Sequence, residues 1–420
     1  MTATDTDRDS AERSSASSRK GLGEHRWRFL LLLGLPALGL TFAITVVSTY
    51  APVLLGAKSS PLLVGVIVGG EGFFGLIVPL AVGAVTDRHA RVAQDRLRAL
   101  LIVTPVAVGG LLVLAIPGSL VLIAVGAALY FTAHFAFLAP FQALYADLVP
   151  DDTSGRSRSV ESIWRLAGAG VALIAGGFLI EAWKPSPFLA GAVLIAVGTL
   201  VFWRFLRRTD DVPVSGGDRG LRELRETATA ILRRRDIRLL VLGNVLWNLT
   251  LSGLRAFVVL FFTLGLGRSP SFVSGVVFPL VALGLAASAP LSGKAGDKWG
   301  HLRVLQVAVP IYGLGLLLPA FWHGAWVLAV VPIVAAAAAT VMVVPFAALM
   351  RMMSEEDHGA VSGVFTLSRG LGTMLGPLLT GTAILLLRGP FSDTKGFGAM
   401  WLVIGAATLA SWPLLAKMRR

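Results

Sequence analysis

Long apolar runs constrain this chain more than any other feature of its sequence. Stretches of 20 or more residues with almost no charge recur from residue 27 onward. A helix that rises 1.5 Å per residue needs about 20 residues to cross the roughly 30 Å hydrocarbon layer of a membrane. Because the runs lack the two-residue alternation of barrel strands, we expect membrane-spanning helices.

The predicted fold is an all-α polytopic membrane protein with twelve spans. The spans are placed at residues 27–52, 61–83, 98–117, 119–148, 159–182, 186–207, 237–264, 270–292, 302–320, 325–350, 359–387 and 397–416. Residues 1–26 are rich in Ser, Thr, Asp and Arg, and we expect a disordered cytoplasmic tail there rather than a signal peptide.

The 37 Lys and Arg residues are distributed unevenly between the two sides of the predicted membrane domain. Most of them fall on the side of the N-terminus, and those on the other side are Lys58, Lys184, Arg268, Arg388 and Lys395. By the positive-inside rule, this asymmetry predicts a multi-pass protein of the cell membrane with both termini in the cytoplasm. It also explains the net charge of +13 without a nucleic-acid partner, since no folded basic module is evident.

Residue usage favours no catalytic or metal chemistry. The chain has no cysteine, and its six histidines form no i, i+4 pair. Paired carboxylates or a Ser–His pair at one membrane depth are also missing from the sequence pattern. We therefore expect no enzyme activity, no cofactor and no metal.

The two halves of the chain share an internal repeat at a shift of about 204 to 210 residues. The corresponding segments are GAKSSPLLVG (56–65) with GLGRSPSFVSG (265–275), GAVTDRHAR (83–91) with GKAGDKWGHLR (293–303), and PFQAL (140–144) with PFAAL (345–349). Because six spans is an even number, both halves have the same orientation, which predicts two parallel six-helix bundles at 27–208 and 237–420. The connection 209–236 combines a Pro–Gly break with an amphipathic pattern and is expected to be a cytoplasmic linker.

The second of these segment pairs carries a family signature, G-x-x-x-D-R/K-x-x-x-R/K. It occurs after span 2 as Gly83, Asp87, Arg88 and Arg91, with the last basic residue one position early, and after span 8 as Gly293, Asp297, Lys298 and Arg303, with the last basic residue one position late. In these residues the chain resembles the major facilitator superfamily. The resemblance implies transport by alternating access, with these loop charges forming a cytoplasmic gate that holds the bundles together. The alternative is that the charges only anchor the loops on the inner side.

Two arginines, Arg165 and Arg369, lie well inside spans 5 and 11. An unpaired Arg at such depth is costly, so each is expected to face protein or a cavity and to find a partner. Glu161, one turn before Arg165, and Asp147, at the inner end of span 4, are the available acids. We expect these four residues to form part of the cytoplasmic gate, with snorkelling of the arginines to the interface as the alternative.

The segment LAPFQALYADL is similar to the span 4 to 5 region of sucrose–proton symporters. The matching positions are Pro140, Ala143, Leu144, Ala146, Asp147 and Leu148. Gln142 stands where those relatives have an arginine implicated in coupling. The resemblance implies a secondary transporter of a small organic solute, first a sugar or glycoside, working as a monomer in the lipid bilayer by symport with a proton or other cation. The alternative is a proton-coupled exporter of drugs or hydrophobic metabolites, which a wide apolar and aromatic cavity would favour.

Span 7, GNVLWNLTLSGLR, is the richest in candidate substrate ligands. Asn244, Asn248 and Arg255 fall close to one helical face, with Trp247 beside them. Amides pair with hydroxyls and an indole covers the apolar face of a sugar ring, so these residues and Gln142 are the expected substrate-binding set. A polar seam between packed helices is the alternative.

A single acid interrupts span 2, in the run VIVGGEGFFGLIVPL. Glu71 lies near the middle of the membrane, where burial disfavours the charged carboxylate. We expect Glu71 to carry the coupled proton, with His134 of span 4 as a second candidate. The alternatives for Glu71 are a fixed ion pair with Arg255 or a hydrogen bond to His134.

Overall fold

The computed structural model of the protein describes residues 26–56, 59–116, 118–149, 153–207, 233–351 and 358–418. Helices make up most of these residues. The predicted N-terminal tail and most of the predicted linker lie outside the described residues.

Twelve long helices occupy the described ranges. The first bundle contains α1 (Arg26–Gly56), α2 (Pro61–His89), α3 (Ala93–Ala115), α4 (Leu120–Leu148), α5 (Ser154–Ala182) and α6 (Ser186–Leu206). The second contains α7 (Arg235–Leu260, extended by the π-helical turn Phe261–Gly265), α8 (Pro270–Phe272, the π-helical turn Val273–Val277, then Phe278–Trp299), α9 (His301–Phe321), α10 (Val327–Arg351), α11 (His358–Leu386) and α12 (Ala399–Ala410, continued as Trp412–Ala416). Within the described residues, 11 helices are long and apolar enough to cross a membrane, and α11, which carries Arg369, is the one outside that set.

The repeat seen in the sequence also sets where helices begin. Ser60 and Ser269 are the N-cap residues of α2 and α8, and each hydroxyl accepts a hydrogen bond from the amide three residues later. Pro61 and Pro270 follow them at the first helical position, where proline lacks only an N–H that would have no partner in the helix. The shared Ser-Pro pair therefore starts the second helix of both bundles in the same way.

Each main helix pairing in the first bundle has a counterpart six helices later. Helix α1 packs on α5 and α6 as α7 packs on α11 and α12, and α3 packs on α4 and α6 as α9 packs on α10 and α12. The α2–α4 contact likewise corresponds to α8–α10. This correspondence confirms the predicted fold class of two parallel six-helix bundles.

The bundles contact each other through α2 with α11, α5 with α8, and α1 with α7. Small residues permit the close approach: a Cβ on Gly65 would lie 2.3 Å from the carbonyl oxygen of Pro377, and one on Gly177 would lie 2.3 Å from that of Pro270. The hydroxyl of Tyr50 also donates to a carbonyl of α5 at 2.8 Å and lies 2.8 Å from the hydroxyl of Ser274 on α8.

These contacts lie toward one end of the molecule. We call the end that carries residues 83–91 and 293–303 the motif face, and the end where α2 and α8 begin the opposite face. Toward the motif face, a Cβ placed on Gly83 of α2 or Gly363 of α11 would have no atom within 4 Å. The bundles are therefore packed together at the opposite face and separate toward the motif face.

The placement of the family signature in loops was wrong in detail. Helix α2 runs to His89 and α8 to Trp299, several residues beyond the predicted spans. Most of the signature therefore lies on the last turns of these helices, namely Gly83, Asp87, Arg88, Gly293, Asp297 and Lys298. A helix already formed in the membrane can continue into the aqueous interface because its charged side chains are solvated there.

Candidate functional site

A cavity of ≈720 Å³ lies between the two bundles. Its lining is mostly apolar, and the aromatic side chains include Phe135, Phe141, Phe262 and Trp401. A branch of the cavity continues between α8, α9 and α10 as far as His323. A cavity of this size, with few polar groups among apolar ones, is typical of binding sites for small organic molecules.

Glu71 lines this cavity at mid-depth of α2 and is buried. Arg255 on α7 approaches it, with 2.9 Å between a guanidinium nitrogen and the carboxylate oxygen Oε1. The hydroxyl of Ser48 on α1 donates a hydrogen bond to the other carboxylate oxygen. One carboxylate therefore joins α1 and α2 to α7, across the boundary between the bundles.

His134 lines the same cavity from α4 and is also buried. Its Nδ1 lies 3.3 Å from the hydroxyl of Tyr130 one turn earlier. Within the described residues His134 makes no hydrogen bond to Glu71. Of the two partners considered for Glu71, Arg255 is the one engaged in this conformation.

Glu161 is the centre of a polar network near the motif face. It accepts hydrogen bonds from the amide nitrogen of Gln142 at 2.8 Å and from Arg158 at 3.0 Å, while Arg165 lies 3.7 Å away. Arg158 also donates to the side-chain oxygen of Gln142 and stacks 5.0 Å above the ring of Tyr145. Gln142, an expected substrate ligand, thus bonds to Arg158 and to the predicted gate residue Glu161 in this conformation and does not line the cavity.

The four residues Asp147, Glu161, Arg165 and Arg369 were predicted to form one gate network, but the structure does not bring all of them together. Asp147 forms a buried ion pair with Arg96 of α3, at 3.1 Å, and not with Arg165. Arg369 projects into the cavity from α11, and none of the described acidic side chains lies within ion-pair distance of it. Sequence reasoning missed Arg96 because the predicted third span began at residue 98, whereas α3 begins at Ala93.

The polar stripe of α7 faces the other helices of its own bundle. Asn244 donates to the hydroxyl of Ser368 on α11 at 2.7 Å, and Asn248 donates to Asn244 at 2.9 Å. Trp247 is fully buried and donates to the hydroxyl of Ser411, before the last turn of α12, at 2.7 Å. The side chains of Asn244, Trp247 and Asn248 do not line the cavity. The helix-packing alternative accounts for their contacts, because their polar groups are already satisfied by neighbouring helices.

Comparison with known proteins agrees with this architecture. The model of the Major Facilitator Superfamily matches residues 159–377 and 269–419 of the chain. The chain belongs to the Major Facilitator Superfamily. The multidrug resistance protein MdtG of Salmonella schwarzengrund is 26% identical over 295 residues, which are 67% of this chain and 69% of that protein. MdtG of Dickeya zeae is 26% identical over 280 residues, 65% of each chain.

Solved structures of this superfamily fold superpose on nearly the whole chain. The nucleoside transporter NupG matches with a TM-score of 0.74 at 14% identity, covering 93% of this chain and 99% of NupG. A bacterial homolog of the human lysosomal transporter Spinster, in an inward-facing and unoccupied conformation, matches with a TM-score of 0.72 at 16% identity, covering 94% and 95%. At these identities the matches show the fold alone. The narrower resemblance to sucrose–proton symporters stays unconfirmed.

The superfamily signature lies at the motif face. Its charged side chains are exposed at Arg88, Arg91, Asp297, Lys298 and Arg303. The backbone amide of Arg91 donates to Asp95 at the start of α3, at 3.0 Å, and Lys298 lies 5.9 Å from the ring of Trp299. The side chain of Asp87 is outside the described atoms, so the gate role of the signature stays a prediction.

Proposed function

We propose that this protein is a proton-coupled exporter of hydrophobic organic compounds, a class that includes drugs. The observation that carries the proposal is the apolar and aromatic lining of the cavity between the bundles. The sequence first favoured a sugar because the asparagines of α7 were expected to line the cavity, yet they bond to α11 and to each other. The relatives named multidrug resistance proteins support the exporter as well.

An apolar lining selects ligands differently from a sugar site. Burial of apolar surface contributes about 25 cal/mol per Å² without directional requirements, so one cavity accepts molecules of several shapes. A sugar would instead need donors and acceptors matched to its hydroxyls, since an unpaired buried hydroxyl costs free energy. In this conformation the lining offers aromatic rings such as Phe135 and Phe262, and its uncharged hydrogen-bonding side chains are outnumbered by apolar ones.

Glu71 is the proposed proton carrier. It faces the cavity, and its partner Arg255 belongs to the other bundle. Protonation of Glu71 would neutralise the carboxylate and weaken the ion pair, which would free α2 and α7 to separate as the bundles rock. Proton binding and the change of conformation are then coupled through a single contact.

The side from which the cavity is reached follows from the proposed orientation. The bundles are packed at the opposite face and separate toward the motif face. The distribution of positive charge in the sequence predicts that the motif face is the cytoplasmic one. The cavity in this conformation would therefore receive substrate from the cytoplasmic side.

The proposal is tested with purified protein in proteoliposomes that hold an imposed pH gradient. Radiolabelled sucrose is compared with hydrophobic fluorescent probes that are neutral, cationic or anionic, each against the same vesicles after the gradient is collapsed with an ionophore. We expect gradient-dependent accumulation of at least one hydrophobic probe and none of sucrose. Accumulation of sucrose alone would overturn the exporter and favour the symporter. The same assay on Glu71→Gln tests the proposed proton carrier. Asp236→Asn, which changes an acid outside the cavity, is its matched control.

A further inference from the structure

We propose that the preferred substrates of this exporter are amphipathic organic anions, whose carboxylate, sulfonate or phosphate group binds Arg369 while the apolar body fills the aromatic part of the cavity. The inference rests on the proposed function and names the substrate class of the same cavity. It starts from the charges that the cavity lining carries.

Positive charge exceeds negative charge in the lining. Among the described residues that line the cavity, the arginines are Arg165, Arg255, Arg268 and Arg369, and the acids are Glu71 and Glu161. Both acids are already engaged. Glu71 is paired with Arg255 and Glu161 contacts Arg165, so neither is available to neutralise a further cation.

Arg369 lines the cavity from α11 and is engaged by neither of these acids. It has no hydrogen bond and no ion pair to any described residue, and its side chain is exposed to the cavity. Arg268 differs because it lies near the opposite face, over the ring of Phe272 at 5.5 Å. An unpaired arginine within a membrane span is costly, and such residues commonly mark the path of a substrate or ion.

The electrostatic surroundings of Arg369 favour an anion. Arg369 interacts across the cavity with two cations, Arg165 and Arg255, and with one anion, Glu71. The carboxylate of Glu71 lies 2.9 Å from Arg255, and these two charges offset each other. The electrostatic potential at Arg369 from the other cavity charges is therefore positive. A carboxylate, sulfonate or phosphate placed there would relieve repulsion and form charge-assisted hydrogen bonds with the guanidinium group.

Apolar groups occupy the rest of the lining and determine the other half of the ligand. Leu138, Phe141 and Leu254 line the same cavity, together with the aromatic rings described above. A small hydrophilic anion would leave this surface uncovered, whereas a neutral hydrophobe would leave Arg369 without a counter-charge. Only a molecule with one anionic end and an apolar body satisfies both regions.

The test compares two probes that differ by one group. 8-Anilinonaphthalene-1-sulfonate and N-phenyl-1-naphthylamine share the same aromatic body, and only the first carries a sulfonate. Saturable binding to the protein in lipid nanodiscs is measured by energy transfer from tryptophan, and accumulation is measured in proteoliposomes with a pH gradient. We expect the sulfonate to bind at least about tenfold more tightly than the neutral probe, equivalent to about 1.4 kcal/mol.

Three variants locate the effect. Arg369→Gln should weaken binding of the sulfonate about tenfold and leave binding of the neutral probe within about twofold. Arg369→Lys should restore most of the affinity, because it keeps the charge. Arg204→Gln, an exposed arginine of α6 outside the cavity, should leave both affinities unchanged.

The outcomes separate the two proposals. Equal affinity for the two probes in the unmodified protein, or unchanged sulfonate binding in Arg369→Gln, would overturn the anion site while accumulation of the neutral probe still supported an exporter. Failure of every hydrophobic probe to accumulate would instead overturn the proposed function. The comparison of probes on the unmodified protein decides the anion site even if Arg369→Gln does not fold.

Discussion

Gly72 lies where α2 and α11 approach closely, and Gly72→Ala should shift the protein away from this conformation. A Cβ on Gly72 would lie 2.2 Å from the backbone nitrogen of Met374 and 2.6 Å from the backbone oxygen of Gly370. Both atoms belong to the backbone, so no side-chain rotation relieves the contact. The helices must separate by about 1 Å to reach ordinary contact distance.

The cost of that contact sets the size of the shift. Overpacking of this kind costs about 1–3 kcal/mol, and each 1.4 kcal/mol is about tenfold in an equilibrium constant. We therefore expect the equilibrium to move roughly 5- to 150-fold toward the conformation in which α2 and α11 are apart. The gain of about 1 kcal/mol in helix propensity is equal in both conformations and cancels. Gly109→Ala, whose Cβ would have no atom within 4 Å, is the matched control.

The chain contains no cysteine, so a single introduced cysteine reports accessibility without background. Thr366→Cys in the cavity should react at least about fivefold more slowly with an impermeant maleimide added at the motif face when Gly72→Ala is present. Val64→Cys, buried in α2 toward the opposite face, should react faster from that side. Equal labelling rates in Gly72→Ala and Gly109→Ala would refute the role of this helix contact.

Three further single substitutions and one double variant test the cavity and its surroundings. Glu71→Gln should lower gradient-driven accumulation at least about tenfold while substrate exchange continues, because exchange needs no proton release; loss of exchange together with accumulation would show that the Glu71 carboxylate is structural. Asp147→Asn removes the negative charge that pairs with the buried Arg96 and should cost about 3–5 kcal/mol of unfolding free energy, seen as a lower melting temperature in detergent. The double variant Arg96→Met/Asp147→Leu should recover most of that loss, and an equally unstable double variant would argue against the ion pair. Trp247→Phe removes the hydrogen bond to Ser411 and should cost about 1–3 kcal/mol of stability without changing probe affinity; weaker binding at unchanged stability would place Trp247 at the substrate site.

The fold could be predicted from the sequence because lipid imposes a simple rule on the chain. Apolar length reports a span directly, and the Ser-Pro pairs at Ser60 and Ser269 show the repeat before any packing is known. The helix ends were less well predicted. Arg96 was placed outside the third span, although the ion pair with Asp147 lets it lie in the first turn of α3.

The candidate site was only partly predictable, since periodicity shows that residues share a face but not what that face contacts. Asn244 and Asn248 do lie on one face of α7, and that face packs within the bundle. Arg255 lies further along the same helix, toward the opposite face, and its side chain lines the cavity. There it forms an ion pair with Glu71, which was one of the alternatives for Glu71 in the sequence analysis. The isolation of Arg369 was not predictable, because it depends on which acids other helices engage.

Hydrophobic compounds are proposed to cross the membrane through the cavity between the bundles. Leu254→Cys places one thiol in the cavity lining, and Ile102→Cys places one on the outer surface of α3, where the side chain is 74% exposed. Each protein is modified with thiol reagents of increasing size, and transport of the most strongly accumulated hydrophobic probe is then measured. Transport is expected to fall with adduct size at residue 254 and to be unchanged at residue 102. Undiminished transport with the largest adduct at residue 254 would contradict transport through this cavity.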